Sequence, residues 1–193
     1  MKAMNRIPHP LVLSNALVEL IPLERGHFDE IISLAKDERI WKYYVLDGSD
    51  PEIMLPTLED ALAEREAGRQ YPFVITLKED GKIIGSTRFM DIQPAHRKLE
   101  IGWTWLHPDY WGTAINAVCK QLLLRYCFEE LGTYRVQLKT DELNIRSRRA
   151  IEKLSARFEG ILRNDMVRQN GTRRNSAYYS IIEEEWLRQP DKE

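Results

Sequence analysis

The chain has 193 residues, 43% of them hydrophobic and 30% charged, with 28 Lys and Arg against 30 Asp and Glu. This length and apolar fraction suit one domain with a core of its own and exclude a disordered chain, while a mean hydropathy of -0.46 argues against a membrane protein. A net charge of -2 excludes a polycation built for nucleic acid, yet it is a cancellation: residues 19–66 carry 13 acids and 5 bases, and residues 144–174 carry 9 bases and 3 acids.

The opening stretch MKAMNRIPHPLVLSNALVEL lacks the apolar core of a signal peptide and no segment approaches a transmembrane span, so a cytoplasmic location is expected. No repeat, linker or low-complexity segment divides the chain, which reads as a single domain over 1–193 with 1–15 and 187–193 as peripheral tails. Leu17–Leu20 reads as a first strand, and Asp29–Lys36 and the acidic Pro56–Ala67 as helices. Two apolar runs around Glu79-Asp80-Gly81 signal a hairpin. In Leu99–Leu106 strict alternation places Leu99, Ile101, Trp103 and Trp105 on one face, with Glu100, Gly102 and Thr104 on the other. Thr113–Leu131 carries helical spacing and stops at Gly132. Tyr134–Thr140 is a strand, Asn144 caps a helix reaching Leu154, and Phe158–Arg168 and Arg173–Ile182 form a hairpin across Asn170-Gly171. Cys119 and Cys127 on one helix stand ~12 Å apart, too far for a disulfide, which needs ~7 Å or less.

Two segments carry chemistry. In LEIGWTWLHPDYWGTAINAVCKQLL a strand ends at His107-Pro108, Gly112 frees the turn, and small residues lead into a helix. Such a turn is either a plain strand-to-helix connection or a cradle of backbone amides for a phosphate. In DELNIRSRRAIEKL, Ser147 shares a helix face with Ala150, Ile151 and Leu154, so its hydroxyl either bonds nearby backbone or serves a reaction. His9, His27, His96 and His107 lack metal-ligand spacing with each other or with the cysteines, so no metal is expected.

From Glu19 to Trp186 the chain resembles the GNAT superfamily of acyl-CoA-dependent N-acetyltransferases, and most closely its RimJ/RimL branch of ribosomal-protein N-terminal acetyltransferases. The resemblance is carried by Glu100-Ile101-Gly102-Trp103, His107-Pro108-Asp109-Tyr110-Trp111-Gly112-Thr113-Ala114, Asn144-Ile145-Arg146-Ser147 and Ala150-Ile151-Glu152-Lys153-Leu154. It continues through Glu159-Gly160-Ile161-Leu162-Arg163, Asn170-Gly171, Tyr179-Ser180-Ile181-Ile182 and Glu185-Trp186. It implies an α+β fold: a splayed, mixed, mostly antiparallel sheet of about seven strands with about four helices, whose strands Leu99–Leu106 and Tyr134–Thr140 part to admit acetyl-CoA. It further implies that the pantetheine arm lies along Trp103, Trp105 and Leu106 and meets Asn144. The pyrophosphate would rest on Trp111, Gly112, Thr113, Ala114, Ile115 and Asn116. Arg146, Arg148 and Arg149 start the following helix, where they would neutralise coenzyme phosphates.

The implied reaction is direct attack of a primary amine on the thioester. Ser147 is the candidate acid for the leaving thiolate and Glu100 the candidate base, directly or through a water, although Glu100 reads equally as a salt-bridged strand-end carboxylate. A bulge in the strand would present a backbone amide near Trp105 or Leu106 to the oxyanion. Trp41, Tyr43 and Tyr44 are the candidate acceptor contacts, and the acidic first helices would form a wall favouring a cationic acceptor, either a protein N-terminus or a small molecule. No membrane or nucleic-acid partner is expected, and monomer and homodimer both stay open. The competing readings are a non-catalytic acyl-CoA binder on the same fold and, below it, an arginine-rich nucleic-acid module. Two departures from the family pattern stand out. Asp109 occupies a position usually Gln or Arg, and Ser155 a helix-ending position usually Gly, so that helix is expected to end differently.

Overall fold

The computed structural model describes residues 4–188. Asn15 sets the first turn: its side-chain oxygen accepts from the amides of Leu17 and Val18, both at 2.9 Å, and folds β1 (Leu13–Ser14) back on β2 (Val18–Pro22). This two-residue strand brings the sheet to eight strands where about seven were expected, since Leu-Ser is too short to show a period. Met4, Leu11 and Leu13 are buried in the main core, so the segment read as a peripheral N-terminal tail is part of the fold. Of the C-terminal segment, Leu187 closes the last helix and residues 189–193 lie outside the described residues.

Helix α1 covers Phe28–Leu34 and α2 covers Pro51–Glu66. The second begins five residues before the expected Pro56 because Asp50 caps it, accepting from the Glu52 amide at 2.9 Å, and Pro51 supplies the first-turn proline instead. Strands β3 (Tyr71–Leu77), β4 (Ile83–Gln93) and β5 (Lys98–Leu106) follow as an antiparallel meander. The expected long helix is α3 (Ile115–Arg125) continued by a π-helical turn, Tyr126–Leu131, that ends at Gly132 as the sequence indicates. Then come β6 (Arg135–Asp141), α4 (Ile145–Glu152), β7 (Arg157–Val167), β8 (Arg173–Ile182) and the short α5 (Glu183–Leu187).

The strand order is β1-β2-β3-β4-β5-β6-β8-β7, antiparallel throughout except for β5 and β6. One face buries Phe73, Phe89, Leu99 and Ile101 against Cys119, Leu123 and Leu124 of α3 and Trp186 of α5. The other buries Val74, Ile83 and Trp105 against Phe28 and Ile31 of α1 and Met54, Leu58 and Leu62 of α2. Among the described residues no helix is long and apolar enough to cross a membrane.

Two local irregularities depart from simple pattern reading. In β5, Gly102 faces Arg88 and Trp105 faces Ser86, so Trp103 and Thr104 oppose the single residue Thr87, and Trp103 takes φ 52°. This bulge inverts the alternation: Leu99 and Ile101 join the α3-side core, whereas Trp103 and Trp105 pack on the α1/α2 side. Glu100, expected on the opposite face from the two tryptophans, therefore shares their face, opposite Met90 in register. At the end of α4, Ser155 does adopt the left-handed conformation (φ 62°) expected to be unfavourable for it, so the turn keeps its shape at the cost of strain.

Ser155→Gly is expected to raise stability by roughly 0.5–1 kcal/mol, the left-handed penalty less the entropy of the added glycine. Urea unfolding would show it as a higher midpoint at unchanged slope; a lower midpoint would contradict it.

Candidate active site

Parallel pairing of β5 with β6 covers three residues, Lys98–Glu100 against Arg135–Gln137, after which β5 runs on to Leu106 and β6 to Asp141 unpaired with each other. The strands open like a V with Glu100 at its vertex. Its carboxylate is 4% exposed; it accepts from Gln137 Nε2 at 2.9 Å and pairs with Lys139 Nζ at 3.4 Å. Burial lowers the Lys139 pKa, but the Glu100 charge, with Tyr178 and Asp165, more than offsets it and leaves the pKa raised. Gly102 is needed here: a Cβ on it would stand 2.9 Å from Glu100 Oε1 and 2.8 Å from Met90 Sδ.

The bulge beside the V is braced from both faces of the sheet. Tyr44 donates its hydroxyl to the Thr104 carbonyl at 2.7 Å, and Trp41, tied to the Ala35 carbonyl at 2.7 Å, packs against Tyr44, Trp103 and Trp105 with ring separations of 5.1–6.4 Å. Beneath, Thr104 Oγ1 shares a hydrogen bond with Thr87 Oγ1 and accepts one from Lys120 of α3. Burial pushes the Tyr44 phenol up and pulls Lys120 down to about 8. Of the three expected acceptor contacts, Trp41 and Tyr44 thus line one wall, together with an open cleft of about 560 Å³, while Tyr43 offers its carbonyl to Arg174 at 3.4 Å.

The loop after β5 turns at Gly112 (φ 77°) and leads into α3 at Ala114. Trp111 Nε1 donates to the Leu106 carbonyl at 2.9 Å, and Thr113 Oγ1 accepts from the Ile115 amide at 3.3 Å. Ala114 at the cap offers no side-chain acceptor, so beyond Ile115, which Thr113 engages, the first amides of the helix, Asn116 among them, are left as donors at a positive helix end. Asp109 is turned to solvent, its side chain 74% exposed and 3.3 Å from His107, which removes the expected clash with an anion. Across the V, Arg146 stacks its guanidinium on the Trp111 ring at 3.6 Å. This loop fits a diphosphate: backbone donors, a helix dipole and one cation, with the carboxylate facing away.

Helix α4 supplies the opposite lip. Asn144 Oδ1 accepts from the Ser147 amide at 3.1 Å, a capping bond that leaves its NH2 as a donor. The half-buried Ser147 makes no side-chain hydrogen bond among the described residues, so the backbone-bonded alternative for its hydroxyl is not realised. Arg149 is exposed, and Arg148 is engaged by the Tyr179 hydroxyl at 2.9 Å; the basic residue that reaches the loop is Arg146.

The description "Acetyltransferase (GNAT) domain" belongs to the family model that matches residues 18–157. The chain belongs to the GNAT acetyltransferases. It is 27% identical over 168 residues to the N-acetyltransferase p20 of Bacillus licheniformis, named as uncharacterized, covering 85% of this chain and 92% of that one. Over 107 residues, 55% of this chain and 57% of the relative, it is 32% identical to a Bacillus subtilis protein named "Putative ribosomal N-acetyltransferase YdaF". A GCN5-related N-acetyltransferase from Brucella melitensis superposes with a TM-score of 0.86 at 26% identity, covering 97% of this chain and 85% of that one. The RimJ structure of Mycobacterium smegmatis, a complex with CoA-disulfide, shares the fold with a TM-score of 0.80 at 23% identity, covering 94% and 91%.

Reading this acetyltransferase from sequence missed three buried cations. Lys120 interrupts an apolar helix face between Cys119 and Leu123, Arg88 an otherwise uncharged buried strand, and Arg174 hides in an arginine pair; a charge at a core position was the available signal. Part of the expected acidic wall is taken up by arginines, while Glu38 and Asp47 line the cleft beside Trp41 and Tyr44. Glu24, Asp37, Glu59 and Glu64 bind Arg65, Arg39, Arg25 and Arg69, and Asp50 caps α2, while the residues of this region that reach the bulge are aromatic.

Lys120 takes up its proton at about 8 in the folded chain against 10.5 ordinarily, so the unfolded chain binds more protons and stability rises with pH between those values. Relative to Lys120→Met, the wild type is expected to gain about 2–3 kcal/mol over that window in urea unfolding. Parallel profiles for the two proteins would contradict it.

Proposed function

We propose that this chain is an acetyl-CoA-dependent N-acetyltransferase that passes the acetyl group to a primary amine, of a protein N-terminus or a small molecule, by direct attack inside the V between β5 and β6. The observation that carries the reading is the parting of these strands beside an anion-fitting loop, with an unbonded hydroxyl, Ser147, on the facing lip. The relatives named as N-acetyltransferases support it.

Acetyl-CoA supplies the acetyl group as an activated thioester. Trp103, Trp105 and Leu106 offer backbone to the pantetheine arm and Asn144 its side-chain NH2. Trp111 to Asn116 receive the diphosphate with Arg146 beside them, and Arg149 is left for the outer phosphate. Trp41, Tyr43 and Tyr44 border the acceptor. Glu100, paired with Lys139, takes the amine proton directly or through one water. A backbone amide of the bulged segment, Trp105 or Leu106, donates to the carbonyl oxygen as charge builds there, and Ser147 returns a proton to the departing sulfur.

Release of free thiol from acetyl-CoA in the presence of an amine, with the acetyl mass increment on that amine, tests the reading; binding without release would favour a non-catalytic acyl-CoA binder. Ser147→Ala is expected to lower kcat about 10- to 100-fold with little change in acetyl-CoA affinity, and an unchanged kcat removes its role. For Glu100→Gln the expected result is a loss of about 10²- to 10³-fold in kcat together with loss of the acidic limb of the rate–pH profile. If that limb persists, the base is another group.

A further inference from the structure

Two guanidinium groups inside the molecule touch no carboxylate, although Asp60 acts on Arg88 from a distance, and Asp141 and Asp165 on Arg174. Arg88 of β4 is 5% exposed and Arg174 of β8 is 8% exposed, and among the described residues neither forms an ion pair. Both keep a buried Nε without a hydrogen-bond partner, and their other contacts are long: Arg88 Nη1 to Gln70 Oε1 and Arg174 Nη1 to the Tyr43 carbonyl, each 3.4 Å. A buried guanidinium with an unpartnered N–H and no carboxylate in contact is costly, so two of them leave donors for a ligand. They also border one wall. Arg88 lies over the Trp103 ring at 4.5 Å, Trp103 packs on Tyr44 at 5.8 Å, and Arg174 reaches the carbonyl of the adjacent Tyr43. Tyr44 and Trp103 are the wall of the bulge where the acceptor is proposed to enter.

We infer that the acceptor amine carries an oxyanion, a carboxylate or a phosphate, which Arg88 and Arg174 bind while the aromatic wall of Tyr44 and Trp103 holds the body of the molecule. The inference rests on the proposed function and narrows its acceptor. Guanidinium pairs suit planar or tetrahedral oxyanions because several N–H donors can face them at once. Cations this deeply covered admit a slender group, which favours a small amine over the face of a folded protein. Burial lowers the pKa of both arginines, Arg88 to about 10, by more than Asp60 near Arg88 and Asp141 and Asp165 near Arg174 raise it. Of the acids of the first helices, Glu59, Asp37 and Glu64 are paired with exposed arginines.

The test uses matched probes: free L-amino acids against their α-amides, and phosphoethanolamine against ethanolamine. Each is titrated calorimetrically into the protein with coenzyme A and, separately, assayed for thiol release with acetyl-CoA. The anionic member of at least one pair is expected to bind about tenfold or more tightly than its neutral partner, and which pair responds separates carboxylate from phosphate. Arg174→Gln and Arg88→Gln should each bring that ratio close to one, and Arg88→Lys should keep part of it. Thermal melts report folding, and if Arg88→Gln unfolds, Arg174→Gln decides. The inference is overturned if no anionic probe binds, if neutral partners bind equally in the wild type, or if the preference survives Arg174→Gln. Anion-selective binding without thiol release would sink the proposed function but leave the anion site. Thiol release without anion preference would do the reverse.

Discussion

The constraint on which the site depends is the loss of pairing between β5 and β6 beyond Glu100 and Gln137. Two strands inside a sheet that stop bonding to each other expose peptide groups in a region otherwise sealed by core, and such groups require partners. The fold stabilises this opening from its edges. Gln137 and Lys139 hold Glu100 at the vertex, and Tyr44, Thr87 and Lys120 hold Thr104 on the bulged side. In the proposed function an extended ligand with its own amides would complete the ladder that the chain leaves incomplete, with its anionic end at the adjoining loop and α3.

The bulge translates this opening into a site. One extra residue in β5 turns Trp103 and Trp105 from the α3-side core toward α1 and α2, and so makes a wall of what would have been hydrophobic filling. The same shift puts Glu100 on the side of that wall. Three buried cations surround the result, Arg88, Lys120 and Arg174, each shifted toward neutrality by burial. Lys120 has a structural hydrogen bond to Thr104; the two arginines have none of comparable quality. A stability cost retained at a cleft is what a binding requirement leaves behind.

Legibility from sequence followed the range of the interactions involved. Elements fixed locally were readable to within a few residues: β8 at Arg173–Ile182, the Asn144 cap, and the hairpin across Asn170-Gly171. So were the segments proposed to make up the site, because Gly112, Asn144 and Ser147 sit in compact motifs. What escaped depends on distant partners. The face of Trp103 is set by a register mismatch with β4, the helical start at Pro51 by Asp50 outcompeting Pro56, and the roles of Arg88 and Arg174 by neighbours far along the chain. Charge arithmetic was only partly readable for the same reason. Glu24, Glu59 and Glu64 meet arginines from their own surroundings, whereas Glu38 and Asp47 stay at the cleft.

The account's central claim is that the opened strands and the loop beside them are one acetyl-CoA site. Amide hydrogen exchange with and without acetyl-CoA measures this directly, since it reads the backbone groups the claim concerns. The account predicts slower exchange on ligand addition at Trp103–Leu106 and at Trp111–Asn116 together, with β1 and β2 unchanged. Protection confined to other elements, or none at a saturating concentration, would contradict it.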